Sequence, residues 1–147
     1  MTTVLSAILG SEKQLGIKIR KAKKVDSLIR KGIPFNVVED LKGSLKLADE
    51  EIAEILGMSV RTLSRRRQMK DKEESRLNAI ESDRLFRLVK IFSLAQNVLE
   101  DKEQAVEWLH SRQFGLGNCI PLEVIKTEIG TREVEDLLIR IEHGVYS

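Results

Sequence analysis

Apolar residues recur at intervals of three and four positions along most of this chain, which is the spacing that one face of an α-helix requires. The clearest long helix is predicted to begin where Asn78 and Glu81 resemble a capping box. The apolar residues that follow it at helical spacing are Leu85, Leu88, Val89, Phe92 and Leu99. No segment alternates apolar and polar residues as a half-buried β-strand would. The pattern therefore predicts an all-α fold.

Two helices are predicted before residue 49. Residues 17–31 form a basic amphipathic segment that Gly32 ends. Pro34 suits the first turn of the next helix, and Gly43-Ser44 ends it. The buried face of this second helix is predicted to contain Phe35, Val38 and Leu41.

Three more helices are predicted after the long one. Asp101 can cap the first, and Pro121 suits the first turn of the second. Gly130 and Thr131 are interpreted as a stop and a cap before the last helix, which Gly144 ends. The inward-facing residues of the three are predicted to be Ala105, Trp108, Leu109, Leu122, Ile125, Val134, Leu137, Leu138 and Ile141.

Residues 49–68 carry the residue types of a helix-turn-helix. This motif needs a small residue where its two helices approach and a flexible one in the turn, and Ala53 and Gly57 supply them. Ser59 can cap the second helix, which runs from Val60 to about Met69. The positions that must rest on a core are occupied by Ile52, Leu56, Met58 and Leu63.

The second helix of this motif is strongly cationic. Arginine can bind guanine through two hydrogen bonds in the major groove, or neutralise a phosphate. Arg66 stands where the motif usually carries a buried aliphatic residue, and one interpretation places its stem on the core and its guanidinium at a phosphate. An ordinary helical hairpin with a solvated basic face is the alternative. The predicted DNA-binding residues are Ser59, Arg61, Thr62, Ser64, Arg65, Arg66 and Arg67.

Charge divides the chain into a basic and an acidic part. Residues 1–72 contain 16 Lys and Arg against 9 Asp and Glu, whereas residues 73–147 contain 9 against 14. The predicted domains are therefore a DNA-binding unit over residues 1–72 and a second helical unit over residues 76–147 with another partner. The basic residues before the motif either contact phosphates or form a solvated face; they are Lys18, Arg20, Lys21, Lys23 and Lys24.

Little in the sequence favours catalysis or a membrane. Cys119 is the only cysteine and is expected to be a small buried residue, although it could pair with His110 or His143 in an enzyme. Gly115 and Gly117 lack the third glycine of a phosphate loop. No metal site, cofactor, signal peptide or membrane-spanning run is evident, so a non-enzymatic cytoplasmic protein is expected.

From about residue 59 onward, the sequence resembles the Xre/MbcA/ParS family of toxin–antitoxin antitoxins. The resemblance rests on an ordered set of motifs: Arg-Thr-Leu-x-Arg-Arg at 61–66, Ser-Asp-Arg-Leu at 82–85, Trp108-Leu109, Pro121-Leu122 and Ile-x-x-Gly-Val-Tyr at 141–146. It implies a Cro/Xre-like helix-turn-helix that binds the operator of its own operon. It also implies a C-terminal helical domain that binds a RES-domain toxin, which consumes NAD, and covers its active site.

The family's tail motif implies that the end of this chain neutralises the toxin. The residues assigned to this role are Arg140, Glu142, Gly144, Val145, Tyr146 and Ser147; simple helix termination, with Tyr146 packed on its own domain, is the alternative. A homodimer is expected because two-fold symmetry matches palindromic operators. Other hypotheses are a stand-alone repressor whose C-terminal half only dimerises or senses a ligand, and a partition-type or scaffold protein.

Overall fold

The computed structural model describes residues 26–27, 29–69 and 75–144. Within them the chain is mostly helical and contains no strand, only two isolated β-bridges, so the prediction of an all-α fold is confirmed. The chain divides into two compact units between Val89 and Lys90. The boundary predicted at residues 72–76 stays a prediction, and it lies before this division. No helix in the described ranges is long and apolar enough to cross a membrane.

The first unit is built from three short helices and the start of a long one. They are α1 (Phe35–Leu45), α2 (Asp49–Leu56), α3 (Val60–Arg67) and α4 (Ala79–Leu99), which continues into the second unit. Residues 26–27 and 29–31 are also helical, whereas the rest of the predicted basic helix lies outside the described residues. Side chains from all four helices are buried in the unit's core, among them Val38, Leu41, Ile52, Leu56, Leu63, Leu85 and Leu88.

The segment before α4 is joined to the segment before α1. The Leu77 N–H donates to the Ile33 carbonyl at 2.9 Å, and the Ile33 N–H donates to the buried Ser82 hydroxyl at 3.0 Å. The Arg76 guanidinium donates to the Gly32 carbonyl at 2.7 Å. Because both backbone groups of Ile33 have partners here, residues 76–82 are part of the first unit.

The second unit contains α5 (Lys102–His110), a 3₁₀ turn (Phe114–Leu116), α6 (Pro121–Val124) and α7 (Glu128–Glu142). Several predicted helix starts are confirmed: the Asp101 carboxylate accepts from the Glu103 N–H, and Pro121 is the first residue of α6. The predicted inward residues Ala105, Leu109, Leu122, Ile125, Val134, Leu137 and Leu138 are buried, whereas Trp108 and Ile141 are half-buried.

Three sequence-based expectations about local structure are wrong. The second predicted helix does not end at Gly43-Ser44, because α1 continues to Leu45 and ends on Lys46 in the left-handed conformation. Gly130 and Thr131 are not a stop and a cap but lie within the first turn of α7. Its cap is Thr127, whose hydroxyl oxygen accepts from the Gly130 N–H at 2.9 Å.

The third error concerns Cys119, which is exposed and not buried. It pairs with Gln113 across the base of a surface loop, where its thiol donates to the Gly117 carbonyl at 3.6 Å. A small apolar side chain at a helix approach is usually buried, but the loop's backbone pairing keeps this one at the surface.

Candidate functional site

The turn between α2 and α3 is held by its backbone and by an arginine from α4. Gly57 adopts a φ of +78°, a conformation that residues with a Cβ rarely adopt. The Met58 N–H donates to the Ala53 carbonyl at 2.9 Å, and the Arg84 guanidinium donates to the Leu56 carbonyl at 3.1 Å. The helix-turn-helix geometry predicted from Ala53 and Gly57 is therefore present, and α4 contributes to it.

The start of α3 is capped as the sequence predicted. The Ser59 hydroxyl oxygen accepts from the Thr62 N–H at 3.1 Å, and the Ser59 hydroxyl donates to the Thr62 side-chain oxygen at 3.0 Å. Leu63 is fully buried and anchors α3 on the core. α3 ends at Arg67, two residues before the predicted end at about Met69.

The exposed face of α3 carries two arginines that have no carboxylate partner among the described residues. Arg61 and Arg65 are both exposed and lie four residues apart, so they occupy neighbouring turns of one face. Ser64, between them in sequence, is half-buried. This face can offer two guanidinium groups to a polyanion without breaking an ion pair within the described chain.

Arg66 points to the inside of the unit. Its guanidinium binds the Glu81 carboxylate at 2.8 Å, and both side chains are mostly buried. The same Glu81 oxygen accepts from the Asn78 N–H at 2.9 Å, while the Asn78 side-chain oxygen accepts from the Glu81 N–H at 2.8 Å, which confirms the predicted capping box. The interpretation that the Arg66 guanidinium lies free for a phosphate is thus not what the structure shows, because a carboxylate at the start of α4 binds it.

Arg67 is held by acidic residues of α1 and α2. Its guanidinium binds both carboxylate oxygens of Asp49, at 2.8 and 3.2 Å, and the Glu39 carboxylate at 2.6 Å. Lys42 also binds Asp49, at 3.2 Å. The hydrogen bonds from Arg67 lower the pKa of Asp49 to about 2, and those from Asp49 and Glu39 raise the pKa of Arg67. Arg67 therefore fastens the end of α3 to the two preceding helices.

The predicted toxin-binding residues are only partly within the described chain. Arg140, Glu142 and Gly144 are exposed at or just after the end of α7. Val145, Tyr146 and Ser147 lie outside the described residues, as do Lys18, Arg20, Lys21, Lys23 and Lys24. In the described ranges no group of three or more His, Cys, Asp or Glu side chains is placed to hold a metal ion.

Two features of these surfaces have no counterpart in the sequence analysis. Arg84 supports the turn from α4, which is distant in sequence, so no local pattern indicates it. Phe114, Ile129 and Ile139 are large apolar side chains of the second unit that are 87%, 73% and 43% exposed. The signal for Phe114 is its place between a turn-forming Gln113 and Gly115, although an aromatic residue there is also compatible with burial.

Comparison with protein families gives two matches that together cover most of the chain. A model described as the antitoxin Xre-like helix-turn-helix domain matches residues 24–90. A model described as the antitoxin Xre/MbcA/ParS C-terminal toxin-binding domain matches residues 94–144. The gap between the two matches lies next to the division of the structure between Val89 and Lys90.

Similar curated proteins carry the name Antitoxin Xre. One from Yersinia enterocolitica is 29% identical over 136 residues, which are 92% of this chain and 89% of that protein. One from Photorhabdus laumondii is 31% identical over 124 residues, covering 84% of this chain and 81% of its own length. One from Pseudomonas putida is 34% identical over 68 residues, 46% of this chain and 43% of its own length.

Proposed function

Because the chain belongs to the Xre family of antitoxins, with a helix-turn-helix DNA-binding domain and a toxin-binding domain, we propose that it has two activities. As a homodimer it binds operator DNA and represses its own operon. Through its C-terminal unit it neutralises a RES-domain toxin that degrades NAD, by covering the toxin's active site. It works in the cytoplasm and has no catalytic activity of its own.

The observation that carries the DNA-binding activity is the pair of free arginines on α3. Arg61 and Arg65 are exposed without a carboxylate partner among the described residues, so they can bind guanine edges or phosphates at no cost in broken ion pairs. Arg66 and Arg67 hold α3 on its own unit, and we assign them a positioning role. The short side chains Ser59, Thr62 and Ser64 lie beside the two free arginines as further candidate contacts.

Support for the toxin-binding activity comes from the family match over residues 94–144 and from the resemblance of the tail to the family's Ile-x-x-Gly-Val-Tyr motif. Arg140, Glu142 and Gly144 are exposed where α7 ends and are available to a partner. We assign toxin binding to these residues and to the tail that follows, Val145 to Ser147. The RES identity of the toxin rests on the family resemblance.

Separation of the two activities tests the proposal. We expect Arg61→Ala and Arg65→Ala each to weaken binding to the protein's own promoter by about 1–3 kcal/mol, or roughly tenfold to hundredfold, if the arginine binds a base. Each should also reduce the salt dependence by about 0.9 log unit per lost phosphate contact if it binds phosphate instead. Protection against a co-expressed toxin should be unchanged. Arg132→Ala, which removes an exposed arginine of α7, is the control and should leave promoter binding unchanged.

Deletion of Gly144 to Ser147 should have the opposite result, with promoter binding intact and protection lost. If the deletion leaves protection unchanged, the tail does not neutralise the toxin. If the protein protects against no toxin but still binds its promoter, it is a stand-alone repressor. Unchanged promoter binding after both arginine replacements would show that α3 does not contact DNA.

A further inference from the structure

Phe114 is the most exposed large apolar side chain in the described chain, with 87% of its surface accessible. It lies in the 3₁₀ turn between α5 and α6. Water contact on most of an aromatic ring is unfavourable, by about 25 cal/mol for each Å² that could be buried instead. An aromatic ring that is held in this position can become buried when a partner protein binds.

The loop that carries Phe114 is closed across its base by hydrogen bonds. The Gln113 N–H donates to the Cys119 carbonyl at 3.0 Å, and the Asn118 N–H donates to the Gln113 carbonyl at 2.9 Å. The Arg112 guanidinium donates to the Asn118 carbonyl at 3.1 Å, and the Gln113 side chain donates to the Trp108 carbonyl at 3.0 Å. A loop fixed in this way loses little backbone entropy when it binds a partner.

The same loop lies against α7, in the half that leads to the proposed toxin-binding residues. A Cβ on Gly115 would lie only 2.6 Å from the Leu137 side chain, so the loop approaches α7 as closely as glycine permits. Leu137 is three residues before Arg140 and five before Glu142, and Ile139 between them is 43% exposed. Phe114 is thus next in sequence to a residue that contacts the C-terminal half of α7.

We propose that Phe114 anchors the toxin by inserting its ring into an apolar pocket of the toxin, beside the contact that the end of α7 makes. This inference rests on the proposed function, since it names a further residue of the same toxin-binding unit. The toxin is the chosen occupant because Phe114 lies inside the match to the toxin-binding domain and because its loop continues the surface assigned to the toxin. Buried aromatic residues near the centre of an interface commonly dominate the binding free energy.

The test compares Phe114→Ala with Ile80→Ala in the full chain. Ile80 is a matched control because it is 64% exposed but lies in the helix-turn-helix unit, outside the toxin-binding match. We expect Phe114→Ala to weaken the dissociation constant for the purified toxin by at least about 30-fold, as a binding hot spot would. Ile80→Ala should bind the toxin like wild type, and Phe114→Trp should retain most of the affinity. All three should keep the wild-type melting temperature and promoter affinity.

Equal toxin affinity for Phe114→Ala and wild type would overturn the anchor role while leaving the proposed function intact. A loss of the antitoxin dimer in Phe114→Ala, measured by light scattering, with unchanged toxin binding would show that a second copy of the chain covers the ring. If wild type and Ile80→Ala also fail to bind the toxin, the proposed function itself is wrong and the anchor role falls with it.

Discussion

Replacement of Glu81 by alanine tests how the recognition helix is held in place. One Glu81 oxygen accepts from the Asn78 N–H at the start of α4 and from the Arg66 guanidinium at the end of α3. Glu81→Ala removes both contacts. It leaves a guanidinium that is only 21% exposed without its carboxylate, and it opens the capping box.

The expected cost follows from these two losses. A helix cap contributes about 1 kcal/mol. Loss of a hydrogen bond to a charged group that stays mostly buried costs about 1.5–3 kcal/mol. Water can still reach part of the Arg66 side chain, so we expect the total to be about 2–4 kcal/mol and not the sum of the upper values. For a chain of this length this corresponds to a fall in melting temperature of roughly 2–4 °C for each kcal/mol.

The assay is urea unfolding followed by circular dichroism, with Asp83→Ala as the matched control. Asp83 lies in the same helix, and its carboxylate is 56% exposed and 3.5 Å from Arg87, so its loss should cost no more than about 0.5 kcal/mol. Arg66→Met combined with Glu81→Ala should cost less than the two single changes added together, because neither charge is then left unpaired. A cost for Glu81→Ala no larger than that for Asp83→Ala would refute the role of the pair.

Three further predictions concern the helix-turn-helix unit. Because hydrogen bonds from Arg67 lower the pKa of Asp49 from 3.8 to about 2, wild type should be more stable than Asp49→Asn above pH 3.8, and the difference should vanish as the pH falls through about 2; urea unfolding across this range checks it. Gly57→Ala should destabilise by about 1–2 kcal/mol or more, since it strains a left-handed backbone and displaces Arg84, whereas Gly43→Ala in α1, where nothing lies within 4 Å of the new Cβ, should stabilise by about 0.5–1 kcal/mol; melting temperatures that move the same way would contradict this. Ser59→Ala should cost about 1 kcal/mol by uncapping α3, and no loss of stability in thermal unfolding would show that the cap contributes nothing.

Helices whose ends carry local signals could be predicted from the sequence. Asn78 with Glu81, Ser59 and Asp101 act as caps through hydrogen bonds within three residues, so the signal and the contact share one stretch of chain. The end of α1 and the start of α7 could not be predicted in the same way. In α7, Thr127 and Thr131 are both suitable caps by residue type, but the Thr131 hydroxyl donates to the Thr127 and Ile125 carbonyls from within the helix.

The partners of the α3 arginines depend on tertiary structure, which the sequence pattern does not contain. Arg61, Arg65, Arg66 and Arg67 form one cationic run in the sequence. Only the packing of α3 against α1, α2 and α4 brings Arg67 to Asp49 and Arg66 to Glu81, separations of 18 and 15 residues. The aliphatic residue expected at position 66 is replaced by an arginine together with a buried carboxylate, a combination that no single position reveals.

The most direct test of the proposed function is the NAD-degrading activity of the purified RES-domain toxin, encoded next to this protein, titrated with the intact chain. Occlusion of the toxin's active site predicts that NAD consumption falls to background in proportion to added protein and reaches it at a fixed ratio of the two. Full toxin activity in the presence of excess protein would contradict the account.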